Sequence, residues 1–173
     1  MQAQEESSHK VRLQTNMGDI ILQLNAEKAP KTVANFEAYV NKGFYDGLIF
    51  HRIISNFMIQ GGGFRPALIE RPAEASITNE ADNGLSNSIG TIAMARRQDP
   101  HSASAQFFIN TNDNRKLDFS SRSPQGWGYA VFGEVTEGMD IVEKIKNVDT
   151  QTVKWFKNVP IKDVIIVKAE MLP

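Results

Sequence analysis

The chain has 173 residues, of which 41% are hydrophobic and 23% are charged, and these values are typical of a single soluble globular domain. Its formal net charge of −1 provides no basic field to attract nucleic acid or an anionic membrane, and no stretch has the apolar length needed to span a bilayer. It contains no cysteine, which excludes disulfides, zinc–thiolate sites, iron–sulfur clusters and cysteine nucleophiles.

The N-terminal sequence MQAQEESSHK is polar and lacks the apolar core of a signal peptide. We therefore expect a polar extension over residues 1–10, one domain over residues 11–173 and a cytoplasmic location. The alternative is a periplasmic protein from which a signal peptide has been removed.

The first predicted elements along the chain are a hairpin and a helix. Val11, Leu13 and Thr15 alternate with polar residues, and NMGD then makes a turn into the strand IILQL. The segment APKTVANFEAYVNKG predicts a helix near Pro30–Asn41, because Pro30 lies in its first turn, an apolar stripe follows, and Gly43 provides a stop.

The later apolar runs predict further strands and one more helix. FHRIISNFMIQGGGF supplies two strands, and four others begin near Gly90, Gln106, Gly128 and Asp163. The segment GMDIVEKIKNV predicts the second helix, over residues 139–148. Many short strands with glycine-rich turns indicate an all-β sandwich or barrel. Two long loops, residues 65–88 and 112–126, are expected to be functional or mobile.

Arg52 is the most unusual residue of the run FHRIISNFMIQGGGF, because it lies among phenylalanine, methionine and isoleucine. Arginine is rarely buried without a partner, since removing its charge from water is costly. A structural ion pair and a catalytic role both remain open for it. Gln60, Gln106 and Asn110 are amides on apolar strands, which favours a site. An adaptable apolar pocket wall would come from four residues: Phe57, Met58, Phe108 and Leu117.

Other kinds of site are weakly supported. The glycines at 61–63 lack the lysine and helix of a phosphate-binding loop, and are better explained by a tight bend or close backbone approach. No G-x-S-x-G elbow occurs, and the three histidines lack metal-ligand spacing. His101 is expected in an exposed loop, and His51 as a hydrogen-bonded structural residue on the strand face opposite Arg52. Arg96 and Arg97 are expected to be solvated loop charges.

The motifs as a set resemble the cyclophilin family of peptidyl-prolyl cis–trans isomerases. FHRIISNFMIQGGGF, GTIAMAR, SASAQFFIN and GYAVFGEV carry the resemblance, which covers nearly the whole domain. DPHSASAQFFIN and QGWGYAVFGEV look most like the bacterial branch. The resemblance implies an eight-stranded antiparallel closed β-barrel with two capping helices, and a peptidyl-prolyl isomerase that rotates X–Pro bonds and assists protein folding.

The resemblance also implies roles for individual residues. The proline pocket would be formed by Phe57, Met58, Phe108 and Leu117. The peptide groove would be lined by Arg52, Gln60, Ala95, Arg96, Gln106 and Tyr129. Arg52 would be the catalytic residue, donating to the proline nitrogen as the bond twists. No cofactor or metal is required, and the partners would be proline-containing segments of client proteins bound by a monomer.

Three positions depart from the family pattern. Lys116 stands where cyclosporin-sensitive members carry tryptophan, Tyr129 where many eukaryotic members carry histidine, and Arg96 where they carry asparagine. We therefore expect weak cyclosporin binding with isomerase activity retained. Two other functions compete with the enzyme: a binding module that grips proline-containing segments, and a purely structural β-domain that binds none.

Overall fold

The computed structural model describes residues 8–173, so most of the polar extension predicted for residues 1–10 lies outside the described residues. Ser8 already contacts the domain, since its Oγ donates to the Leu172 carbonyl at 2.7 Å. The first eight elements are β1 (Lys10–Thr15), β2 (Gly18–Leu24), α1 (Pro30–Asn41), β3 (Arg52–Ile54), β4 (Met58–Gly61), β5 (Phe64–Arg65), β6 (Ile69–Glu70) and β7 (Thr91–Met94). The remaining six are β8 (Phe107–Asn110), β9 (Val131–Glu137), α2 (Met139–Lys146), β10 (Thr150–Val153), β11 (Phe156–Pro160) and β12 (Ile166–Leu172).

Eight strands form one antiparallel sheet in the order β12-β1-β2-β9-β7-β8-β4-β3. This confirms the predicted number of strands and the mainly β class. The prediction of a closed barrel is corrected, because no ladder joins β3 to β12 among the described residues and the sheet is a curled half-barrel.

The open side of the sheet has a simple cause in its hydrogen bonds. Ile49 bridges both Ile165 and Phe64, so the residues that precede β3 divide their hydrogen bonds between two neighbours. Phe50 N donates to the Val164 carbonyl at 2.9 Å, whereas Ile49 N donates to the Phe64 carbonyl at 2.8 Å. Gly47 N also donates to the Ile166 carbonyl at 2.7 Å, and Ile166 N donates to the Leu48 carbonyl at 2.8 Å, so the segment approaches β12 without forming a ladder with it.

The main hydrophobic core lies inside the curl of the sheet. It includes Phe36 from α1, Tyr45, Phe107 from β8 and Phe132 from β9, whose rings pack edge-on or tilted with Phe36 5.1 Å from Phe132. Burying one such aromatic side chain stabilises the fold by roughly 1.5–3 kcal/mol. The Tyr45 hydroxyl donates to the Ala105 carbonyl at 2.7 Å, and burial raises the pKa of Tyr45 well above its usual value.

The helices close the two ends of the core. α1 packs against β12 and has the predicted bounds, while α2 packs against β2, β3 and β4 and ends two residues before the predicted Val148. Neither helix among residues 8–173 is long and apolar enough to cross a membrane. The short hairpins β5–β6 and β10–β11 were not predicted from the sequence.

Candidate active site on the outer face of the sheet

The alternation of side chains along the strands separates two apolar layers. Ile53, Ile59 and Ile109 point into the main core, and their neighbours point to the outer face. A row of directly paired residues crosses five strands on that outer face: Arg52, Gln60, Phe108, Ala93 and Val131. Because paired Cβ atoms lie about 5 Å apart, this register brings the arginine, an amide and an aromatic ring side by side.

A second apolar cluster covers this outer face and is hereafter called the apolar patch. Met58, Ala93, Phe108 and Val131 form its buried base. Its half-buried members are Ile54, Phe57, Leu85, Ala95, Leu117 and Tyr129. All four residues predicted for the proline pocket, together with Ala95 and Tyr129, are therefore neighbours in one cluster that is separate from the main core.

A chain of side-chain hydrogen bonds runs along the edge of the patch. The Arg52 guanidinium donates through Nη1 to Gln60 Oε1 at 3.2 Å, and Gln60 Nε2 donates to Gln106 Oε1 at 3.1 Å. Arg52 is half-buried and forms no ion pair among residues 8–173, so the alternative of a structural ion pair is not supported. The two glutamines hold the guanidinium in place and leave its charge unneutralised.

Gly63 makes room for this chain. A Cβ atom at Gly63 would lie 2.5 Å from Gln106 Nε2, a separation that real contacts do not show. At Gly62, φ is +87° and a Cβ would lie 2.9 Å from the rings of Phe107 and Tyr45. The glycine run thus serves the close backbone approach that the sequence indicated.

Ala95, Arg96 and Tyr129 form a rim at the border of the apolar patch. The Arg96 guanidinium carbon lies 4.5 Å from the centre of the Tyr129 ring, and Arg96 Nε donates to the Gly128 carbonyl at 2.9 Å. Arg96 is half-buried, unlike the solvated loop charge that we expected, whereas Arg97 is exposed. A pocket of about 250 Å³ adjoins this rim and is lined in part by Gln60, Gln106, Ala95 and Arg96.

Lys116 and Leu117 border the patch in a short 3-10 turn over Arg115–Leu117. The Lys116 ammonium lies 5.2 Å from the centre of the Phe57 ring, while Leu117 is part of the patch. Trp127 packs on His101 and Phe119, with ring centres at 4.9 and 5.3 Å, and is not a member of the patch.

Sequence reasoning missed a network of buried amides beneath the patch. Asn87, Asn110 and Asn114 are all buried, and Asn110 Nδ2 donates to Asn87 Oδ1 at 3.0 Å. Asn114 Nδ2 donates to Asn110 Oδ1 at 2.8 Å and to the Phe57 carbonyl at 2.7 Å. Asn87 Nδ2 reaches the carbonyls of Leu117 and Tyr129 at 3.3 Å each. These bonds connect the backbone of Phe57, Leu117 and Tyr129, which belong to the patch, to the asparagine network. Asn110 lies on β8 and links this network to the sheet.

Two of the three histidines, His51 and His101, were given structural or loop roles from the sequence. His51 is buried and packs on Phe64, with ring centres 4.6 Å apart, and its placement on the face opposite Arg52 stays a prediction. Its buried Nδ1 has no hydrogen-bond partner among the described residues, which corrects the expected hydrogen-bonded histidine. Burial and the nearby Arg52 charge lower the pKa of His51 from 6.5 to about 4. His101 is exposed, as predicted, and its Nδ1 accepts from Asn79 N at 3.0 Å. Within residues 8–173 no cluster of histidine and carboxylate side chains could hold a metal ion.

Together, these features define a class of mainly β protein in which a curled eight-stranded sheet with two helices carries an outer apolar patch beside a fixed guanidinium. Residues 10–171 match the sequence model of the family described as cyclophilin type peptidyl-prolyl cis-trans isomerase/CLD. The chain therefore belongs to the cyclophilin-type peptidyl-prolyl cis–trans isomerase family, and its activity is the isomerisation of X–Pro peptide bonds.

Individual relatives agree with this assignment. A peptidyl-prolyl cis-trans isomerase of Streptomyces antibioticus is 57% identical over 162 residues, covering 94% of this chain and 98% of the relative. Peptidyl-prolyl cis-trans isomerase B of Escherichia coli is 55% identical over 156 residues, covering 90% of this chain and 95% of the relative. The crystal structure of a Cryptosporidium parvum cyclophilin-type isomerase in the presence of the dipeptide Ala-Pro has a TM-score of 0.81 at 27% identity, covering 95% and 99%. The bacterial relatives confirm the branch predicted from the sequence.

Proposed function

We propose that the apolar patch receives the substrate proline and that Arg52 catalyses rotation of the preceding peptide bond. Phe57, Met58, Phe108 and Leu117 hold the ring in this proposal. The groove is lined by Gln60, Ala95, Arg96, Gln106 and Tyr129. The hydrogen-bonded chain from Arg52 through Gln60 to Gln106, at the edge of a separate outer apolar cluster, is the observation that carries the proposal.

The chemistry follows from the electronic structure of the amide. Resonance gives the C–N bond partial double-bond character and a rotation barrier of roughly 18–20 kcal/mol. Twisting the bond localises the lone pair on the proline nitrogen, which then accepts a hydrogen bond better than it does in either planar state. A guanidinium fixed beside that nitrogen favours the twisted state over both ground states and so lowers the barrier.

The surroundings of Arg52 suit this role. Gln60 uses one donor of the guanidinium and leaves its other N–H groups for the substrate. No proton transfer and no covalent intermediate is required, because the rotating bond is neither broken nor protonated. The crystal structure of the Cryptosporidium relative in the presence of Ala-Pro supports a proline-containing peptide as the ligand.

Arg52→Ala and Arg52→Lys test the proposal in a protease-coupled assay with a short X–Pro peptide. We expect both variants to fold and to lose kcat/KM by about 10²–10³-fold, as when one preorganised donor is removed from other enzymes. Lysine is expected to rescue little, because an ammonium does not reproduce the planar fork of donors. Turnover close to that of the original chain in folded Arg52→Ala would reject the catalytic role.

Cyclosporin binding is proposed to be weak. In cyclosporin-sensitive relatives an indole packs against the drug at the position of Lys116, whereas here the exposed ammonium lies over Phe57. An ammonium must stay hydrated and its stem covers less area than an indole. We also propose that the protein is a monomer, which sedimentation would test. Its cytoplasmic location stays a prediction that fractionation of the source cells would test.

A further inference from the structure

Positive charge borders the proposed proline site at two places. Lys116 is exposed beside the Phe57 wall, and no carboxylate lies within 4 Å of its ammonium in residues 8–173. Arg97 is exposed next to Arg96 and likewise has no ion-pair partner within the same residues. Because the whole chain carries a net charge of −1, this positive charge is a local feature and not a general property of the surface.

Arg96 adds to the charge on the Arg97 side. Its guanidinium is held by backbone carbonyls, with Nη1 donating to Arg97 O at 2.9 Å and to Gln98 O at 3.3 Å. Carbonyls orient a guanidinium without neutralising it. Arg96 and Arg97 line both the pocket of about 250 Å³ next to Gln106 and an open depression of about 630 Å³ next to Tyr129. A peptide segment in either depression would lie beside these cations.

The nearby carboxylates are mostly engaged elsewhere. Asp118 accepts from Ser86 Oγ at 2.6 Å and from Asn87 N at 2.7 Å, and Asp82 pairs with Arg122 at 2.8 Å. Among the described residues that line the 250 Å³ pocket, Glu70 is the one acid, beside Arg71, Arg96 and Arg97. Asp99 and Asp113 lie in the same loops as Arg97 and Lys116, but they accept from His101 N at 2.8 Å and from Ile89 N at 2.9 Å and form no ion pair with either cation. Cations therefore outnumber carboxylates around the bound proline.

We infer that the site prefers client segments with aspartate or glutamate next to the isomerised proline, and that Lys116 and Arg97 select them. This inference rests on the proposed function and narrows its substrate class. Two unit charges about 6 Å apart in water attract by an energy worth roughly a threefold change in binding. A lysine in place of the glutamate turns this attraction into a repulsion of similar size, so the kcat/KM values of the two peptides are expected to differ by about tenfold.

The test measures catalysed cis–trans exchange by NMR on three peptides that carry glutamate, alanine or lysine beside one proline. In the original chain we expect kcat/KM for the glutamate peptide to exceed that for the lysine peptide by about tenfold in dilute buffer. At 0.5 M salt this ratio should fall towards one, because exposed charges are screened. Placing the charged residue before and then after the proline shows which neighbour is recognised.

Charge-reversal variants assign the effect to residues. Lys116→Glu combined with Arg97→Glu should abolish or invert the glutamate preference and leave turnover of the alanine peptide unchanged. Lys28→Glu is the matched control, since Lys28 is exposed in the turn before α1 and should keep the preference. Equal rates for the glutamate and lysine peptides, or a preference that survives the double variant, would overturn the inference. Failure to turn over even the alanine peptide would instead refute the proposed function.

Discussion

Asn114 ties the loop after β8 to the turn before β4, and its replacement by alanine is expected to damage the proline pocket without touching Arg52. Its side chain donates to the Phe57 carbonyl and to Asn110 Oδ1, and it is 4% exposed. The Phe57 carbonyl would keep its bond from Thr111 N at 3.0 Å. Asn110 Oδ1 would lose this donor and become a buried acceptor without the partner it now has.

The magnitude follows from these contacts. An unsatisfied buried acceptor costs about 1–3 kcal/mol, and each lost hydrogen bond contributes about 1 kcal/mol. We therefore expect Asn114→Ala to lower the free energy of unfolding by roughly 2–4 kcal/mol, which leaves a protein of ordinary stability folded. Without the Asn114 bonds the Phe57 side of the pocket is held less firmly, which should raise KM for an X–Pro peptide about tenfold. The value of kcat should stay within about threefold, because the hydrogen-bonded chain from Arg52 through Gln60 to Gln106 is intact.

Urea unfolding measures the stability change, and exchange kinetics over a range of peptide concentrations separate KM from kcat. Asn112→Ala is the matched control, because Asn112 is an exposed asparagine in the same loop. A destabilised Asn114→Ala with unchanged KM would show that the buried amides support only the fold. A parallel loss of kcat with no change in KM would also refute the reasoning.

Three further predictions concern pH, metals and the drug. The pKa of His51 is lowered to about 4 in the folded state, so below pH 6.5 the unfolded chain binds a proton at His51 that the folded protein does not, and stability falls with the pH. Urea unfolding should show about 2 kcal/mol of stability lost between pH 7 and 5, and His51→Gln should lack this loss. Isomerase activity should be unchanged by EDTA, because the proposed mechanism uses no metal, and a loss on chelation that a divalent metal restores would contradict it. Activity should also be nearly flat from about pH 6 to 9, because the guanidinium of an arginine keeps its charge over this range. Lys116→Trp should tighten cyclosporin binding by roughly 1–3 kcal/mol in inhibition titrations with peptide turnover unchanged, and no gain would assign drug binding to the groove around Arg96 and Tyr129.

Local patterns made the larger elements predictable from the sequence. α1 begins and ends as predicted because Pro30, the apolar stripe and Gly43 act within one segment. A period of two along β3 is likewise observed, with Ile53 in the main core and Ile54 in the apolar patch. Six members of the apolar patch were predicted because they lie in recognisable motifs: Phe57, Met58, Ala95, Phe108, Leu117 and Tyr129. Its other members, Ile54, Leu85, Ala93 and Val131, were not predicted.

Features that depend on distant contacts were not predictable. Asn87 and Asn110 are 23 residues apart, and no local pattern marks them as hydrogen-bonded partners. The sheet stays open because Ile49 shares its bridges between Phe64 and Ile165, a tertiary arrangement that single strands do not encode. The β10–β11 hairpin was missed because most of its residues are exposed, including Trp155, so it lacks the alternation of a half-buried strand.

The central claim is that Arg52 stabilises the twisted X–Pro bond more than the bound planar peptide. The most direct test compares, by NMR, the affinity for one X–Pro peptide with its cis–trans exchange rate on the protein, in the original chain and in Arg52→Ala. We expect Arg52→Ala to keep the affinity within about threefold and to lower the exchange rate on the protein by at least about 10²-fold. An equal fall in affinity and exchange, or exchange that persists in Arg52→Ala, would contradict this claim.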